Sequence, residues 1–225
     1  MKTGIDILDA AGGIPENSNV LLIGPPGPEK MLVGLKLLNS ALKAGGKGVY
    51  VTTDILPSEI EKKSKAAAVD ISEFTNTSLK FIDCYSWMLG EVASGAAPGA
   101  GAKVESEGRK DMIVPGPSAL NDLSIGITQS LRDMENANVI LQSVSTLLMY
   151  NSPEIVFRFV QIMGARLKVA GATTIMHCES QMHDEKTITT LKHLVDHVIE
   201  IRNEDGKSMV QSPTLGVKVW TELKL

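Results

Sequence analysis

The sequence predicts an α/β protein, a mostly parallel central sheet flanked by helices, with antiparallel edge strands at its C-terminal end. Short apolar runs alternate with helical patterns along most of the 225 residues, the order expected when parallel strands are joined by crossover helices. Those runs are apolar nearly throughout rather than at every second position, which suits strands covered on both faces. The tail, by contrast, alternates apolar with polar residues, the pattern of edge strands with one wet face.

Each element follows from a local signal. Strands are expected at Asn19–Ile23, Gly48–Thr52, Leu79–Asp83, Asn138–Leu141, Thr173–His177 and His197–Arg202. Between them, Glu29–Ala44 carries leucines at helical spacing, Pro57–Ala68 opens on a Pro-Ser start signal, and Pro153–Ala170 is a third helix with Phe157 and Ile162 on its apolar side. Lys207–Val210 and Val217–Leu225 are the alternating edge strands. The stretch Gly90–Gly116 breaks the rhythm: rich in Gly, Ala, Pro and charge, it has too little apolar surface to offset its ordering entropy. It reads as a mobile surface loop, either a functional lid or a disordered excursion.

Composition narrows the class. Residues 1–225 suit a single domain, with 43% hydrophobic and 21% charged residues. A net charge of -4 and the lack of a basic run argue against nucleic acid as a partner. No apolar run approaches a membrane span, and the opening residues carry no signal sequence. Cys84 and Cys178 lie in apolar runs without metal-ligand spacing, as reduced core thiols would. A cytoplasmic protein away from membranes is the expectation.

The chemistry-bearing stretch is Ile23-Gly24-Pro25-Pro26-Gly27-Pro28-Glu29-Lys30-Met31. A phosphate-binding loop reads G-x-x-x-x-G-K-[ST], with a lysine for the β and γ phosphates and a hydroxyl for Mg²⁺. Gly24 and Lys30 fit that pattern; Glu29 replaces the second glycine and Met31 the hydroxyl. Pro28 has no N–H to offer a phosphate, and Glu29 adds negative charge where phosphates would sit. Two lost charge-assisted hydrogen bonds amount to about 3–6 kcal/mol. Two readings stay open: a turn that merely joins strand to helix, and residual nucleotide binding through Gly24, Gly27 and Lys30.

Three stretches together resemble the KaiC-like branch of the RecA superfamily of P-loop ATPases. They are Thr3–Asp9 with Gly12-Gly13-Ile14-Pro15, Gly48–Asp54 with Pro57-Ser58-Glu59-Ile60, and Met182–Lys186 with Thr190–Asp196. The resemblance implies a RecA-like fold across nearly the whole chain. It also implies where the remaining site residues stand. The family's Mg²⁺-holding aspartate is matched by Gln142 in Val139–Ser145, and its paired glutamates by Asp54 and Ile55. A neutral amide is a poor ligand for a hard cation, so with Met31 the Mg²⁺ site is expected to be lost as a unit. The family's Lys-x-Arg finger falls at Gln211–Gly216, which holds no cation. The expectation is a pseudo-ATPase, a binding or regulatory subunit with Walker A and Walker B motifs degenerate and no catalytic residue, only the vestigial positions Asp54, Ile55 and Gln142. The alternative is weak binding of ATP or ADP, or slow turnover through Lys30 and Asp54. The resemblance further implies self-association, as a homo-oligomer, or pairing with an active RecA-fold paralogue.

Other groups have plainer roles. His193 and His197 stand four apart, but a metal site needs three or four converging ligands, and His197 is read as a strand start. In His177-Cys178-Glu179, strand alternation turns the thiol away from both neighbours, so Cys178 is expected to be buried and structural. Tyr85, Trp87 and Met88 form an apolar cluster beside the 90–116 loop, read as core packing, with contact to a partner as the alternative.

Overall fold

The computed structural model describes residues 1–89 and 110–225. In chain order the elements are α1 (Asp6–Ala10), β1 (Asn19–Gly24), α2 (Glu29–Lys43), β2 (Gly48–Thr52), α3 (Pro57–Ala66), β3 (Leu79–Asp83), β4 (Met112–Ile113), α4 (Leu120–Ser130), β5 (Asn138–Gln142), α5 (Val144–Tyr150), α6 (Pro153–Val169), β6 (Thr173–Glu179), α7 (Glu185–His193), β7 (His197–Glu204), β8 (Lys207–Ser212) and β9 (Val217–Glu222). The strands form one sheet in the order β4-β3-β2-β5-β6-β1-β7-β8-β9. Pairings from β4 through β7 are parallel, and the β7-β8-β9 edge is antiparallel. The expected fold class is the one observed.

Strand alternation splits the core into two layers. Val20, Leu22, Tyr50, Ile140 and Ile175 point to the face covered by α2 and α3, where they meet Leu35, Leu38 and Ile60. Leu21, Ile23, Val49, Val51, Val139, Leu141 and Met176 point to the opposite face and pack against Leu123 of α4, Leu147 of α5 and Val156 and Val160 of α6. α2 comes close to the sheet at Gly34, where a Cβ would lie 2.6 Å from Nε2 of His177.

The structure corrects three expectations. Ile162 is 44% exposed and lies on the outer side of α6, whose inner side is built from Val156, Phe159, Val160, Met163 and Leu167. The stretch read as a loop at 90–116 falls mostly at residues 90–109, which lie outside the described residues, but its end is built into the fold. Met112–Ile113 pairs with β3 as β4, and Ile113 and Val114 are buried. β6 also runs two residues beyond its expected end, to Glu179, and that extension matters for the site.

Candidate phosphate site

In open α/β sheets the C-terminal ends of the parallel strands, near a reversal of strand order, are where ligands meet the protein. Here that edge gathers the ends of β1, β2, β5 and β6, four neighbours in the sheet. The β1–α2 turn supplies Gly24, Gly27, Glu29, Lys30 and Met31. The turn after β2 supplies Asp54 and Ile55, β5 ends in Gln142, and β6 ends in Glu179, whose register partner is Gly24. The residues singled out in the sequence therefore do converge.

Their side chains are occupied by one another. Lys30 is 3% exposed; its Nζ lies 2.8 Å from Oε2 of Glu179 and donates to the Pro25 carbonyl. The carboxylate that Lys30 meets is thus Glu179 across the sheet edge, and not the adjacent Glu29. Glu29 curls back over the loop, so that its Oε2 lies where a Cβ on Gly27 would stand. Its Oε1 accepts a hydrogen bond from the Ser208 hydroxyl at 3.4 Å. A carboxylate at the start of α2 suits the positive end of the helix dipole, and it rests against the glycine that would need to approach a phosphate.

The positions that the resemblance matched to metal-holding and acidic residues are likewise engaged within the protein. Met31 and Ile55 both pack against the apolar layer under α2 and α3. At Gln142 the amide oxygen accepts from the Tyr50 hydroxyl and the amide nitrogen donates to Asp54 Oδ1 at 3.2 Å. Burial pushes the Tyr50 hydroxyl up, which keeps it a donor. A hydrated Mg²⁺ wants carboxylate and hydroxyl oxygens; a thioether and an amide already hydrogen-bonded on both atoms do not fit that donor set. Asp54 is the carboxylate that this amide meets. Its pKa is raised by desolvation first and by the charge of Glu179, against the pull of the Gln142 amide.

A second cluster, not foreseen from the sequence as a unit, braces the β6 end. The Ser145 hydroxyl accepts from the Glu179 N–H at 2.8 Å, sits 2.8 Å from Nε2 of His183 and lies 3.5 Å from Cys178 Sγ. Cys178 is buried, as expected for a structural thiol, and burial is the main cause that pushes its pKa up to about 11. Ser143 caps α5 by accepting from the N–H groups of Ser145 and Thr146. These contacts fix the backbone of Glu179, and through it the ion pair with Lys30. On the other face of β6, His177 is 2% exposed beneath Gly34; burial, and then the charge of Lys30, push its pKa down to about 3. Among the described residues no group of three or more His, Cys, Asp or Glu side chains is placed to hold a metal ion, and no helix is long and apolar enough to cross a membrane.

A strand-turn-helix with a buried lysine, set at the C-terminal edge of a mostly parallel sheet with an antiparallel flank, defines the class as RecA-like P-loop domains. The family model described as "ATPase: KaiC" matches residues 1–220, and the chain belongs to that family. It is also similar to archaeal proteins named UPF0273. The one from Pyrobaculum aerophilum is 30% identical over 137 residues, 60% of this chain and 44% of the relative. The one from Methanopyrus kandleri is 26% identical over 205 residues, 89% of this chain and 75% of the relative. A third, from Pyrococcus horikoshii, is 25% identical over 178 residues, 78% of this chain and 66% of the relative. The chain thus spans less than half the length of the Pyrobaculum relative.

Proposed function

We propose that this KaiC-family domain is a noncatalytic member, a pseudo-ATPase that works as a binding or regulatory subunit and whose phosphate site is closed by its own side chains. The observation that carries the reading is the pairing of Lys30 with Glu179 beside the inward-curled Glu29. A phosphate would have to displace one ion pair, buried at Lys30 and partly exposed at Glu179, and one carboxylate before gaining any contact. Such a displacement is opposed by the Coulomb cost of separating charges away from water. The departures at Met31, Ile55 and Gln142 support the same reading, since phosphoryl transfer depends on electrostatic stabilisation that these residues do not supply.

A role without turnover is a role in assembly. By analogy with the family, the partner is a second copy or an active RecA-fold paralogue, and the folded domain itself is what the partner would recognise. A second reading rests on Asp54, whose raised pKa is that of a stronger base: slow turnover of weakly held ATP through Lys30 and Asp54. Steady-state hydrolysis by the purified chain separates the two. The first reading expects no turnover above background; a rate that rises with Mg²⁺ and vanishes in Lys30→Ala would establish the second.

A further inference from the structure

On the side of the sheet covered by α4, α5 and α6, the fold leaves apolar surface uncovered. Six of the nine large apolar side chains exposed among the described residues belong to these three helices, and none belongs to α2 or α3 on the other side. The same side carries a groove of about 280 Å³ between the end of α4 and α6. Leu131, Met163 and Leu167, all buried, form its floor, and its lining holds two charged residues, Arg132 and Arg166. Along the outward side of α6, Ile162, Arg166 and Val169 follow at helical spacing, with Val169 91% exposed.

Exposed apolar residues are ordinary one at a time. A groove with an apolar floor, bordered by two arginines and an apolar ridge, has the composition of an interface, where arginine and methionine are enriched and lysine is depleted. The arginines also define the partner. Among the described residues the Arg132 guanidinium has no ion pair or hydrogen bond, and that of Arg166 donates only to the Ser124 hydroxyl at 3.3 Å. Among those residues no acid lines the groove. Pairing two copies isologously through this face would bring the same cations together, at an electrostatic cost. A bilayer presents a broad surface and no side chain to fill a cleft between helices. A segment with apolar side chains for the floor and carboxylates for the two guanidinium forks supplies what the groove lacks. We propose that this face docks an acidic amphipathic helix of a partner protein, its apolar side on the groove and Ile162 and its carboxylates on Arg132 and Arg166. The groove lies at the end of the fold where β5 and β6 begin, away from the phosphate loop, and the proposal does not depend on whether that loop is closed.

The probe is a labelled helical peptide of about 18 residues, roughly 27 Å long, with leucines at i, i+3, i+4 and i+7 and glutamates beside them; a twin carries lysine at every glutamate. Binding is read by fluorescence anisotropy on the full chain, on Ile162→Ser, on Arg132→Glu with Arg166→Glu, and on Lys62→Glu, an exposed site on α3. The expected result is saturable binding of the acidic peptide, weakened at least about 10-fold in Ile162→Ser and in the double arginine variant and unchanged in Lys62→Glu. The twin should bind at least about 10-fold more weakly to the parent. Ile162 and both arginines are exposed, so these losses are read on a folded chain. No binding up to about 1 mM, equal binding of the two peptides, or an equal loss in Lys62→Glu would overturn the proposal. So would a parent dimer in sedimentation that Ile162→Ser dissolves, which would give the face to a second copy, or binding to phosphatidylserine vesicles that Ile162→Ser abolishes, which would give it to a membrane.

Discussion

Lys30 illustrates how one side chain can keep its sequence position and change its chemistry. In a working loop its ammonium faces phosphates; here Glu179 supplies the anion at 2.8 Å, with Lys30 at 3% and Glu179 at 23% exposure. Removing one partner of such a pair leaves the other charge poorly solvated and typically costs about 3–5 kcal/mol when both are buried. Because Glu179 is partly wet, Lys30→Ala is expected to cost about 2–3 kcal/mol in denaturant unfolding. Lys30→Ala with Glu179→Ala should cost less than the two single changes added together; additive losses would mean that the pair is not coupled. His177 gives a second prediction. Its folded pKa, about 3, lies below its ordinary value of 6.5, so the unfolded chain binds the extra proton first as pH falls. Stability should therefore decline as pH drops through 6.5 and keep declining toward 3. His183, whose pKa burial also lowers, acts in the same direction. Asp54, whose pKa is raised, works against this slope in parent and variant alike, so the decline in unfolding free energy between pH 7 and 4.5 should be smaller in His177→Asn than in the parent. An unchanged slope would show that His177 is not held neutral by the fold.

Among the elements, the strands were the most legible because buried parallel strands announce themselves as apolar runs, and the turns between them cannot bury their polar backbone. The phase of α6 was not legible. Val156, Ile162 and Phe157 are all apolar, so hydrophobicity alone does not say which side of the helix meets the sheet; tertiary packing chose the side of Val156 and Val160. Accordingly Ile162→Ser should change stability by no more than about 0.5 kcal/mol, as at an exposed site, and a loss of about 2 kcal/mol or more would restore the rotation read from the sequence. α4 escaped notice because Gly126 interrupts a weak apolar period, and β4 because two residues carry no pattern. Where α2 crosses β6, the missing Cβ of Gly34 makes room for the His177 ring. Gly34→Ala should cost about 1–3 kcal/mol by overpacking, even though alanine is the better helix former. A stabilising Gly34→Ala would show that the two elements can move apart freely.

For the whole molecule, the sequence was most informative about which positions form the phosphate site and least informative about what each one touches. The departures at Glu29 and Met31 were visible against the motif, and those at Ile55 and Gln142 only through the family resemblance. The partners of Lys30 and Gln142 were not, because Glu179 and Tyr50 reach them across the sheet from distant parts of the chain, and nothing in a linear sequence records that distance. The loop keeps the strand-turn-helix form of a phosphate site while Glu29, Lys30 and Glu179 occupy it. The most direct test is calorimetry with ATP, with and without Mg²⁺, on the parent chain and on the folded variant Glu29→Gly, Met31→Thr, Gln142→Asp. Those changes return the close backbone approach, the hydroxyl and the metal-holding carboxylate. The expected result is little or no ATP binding at the loop of the parent and Mg²⁺-dependent binding in the variant. Turnover should stay slow, since position 55 still lacks a carboxylate. Tight Mg²⁺-dependent binding by the parent that Lys30→Ala abolishes, or no gain in the variant, would contradict it.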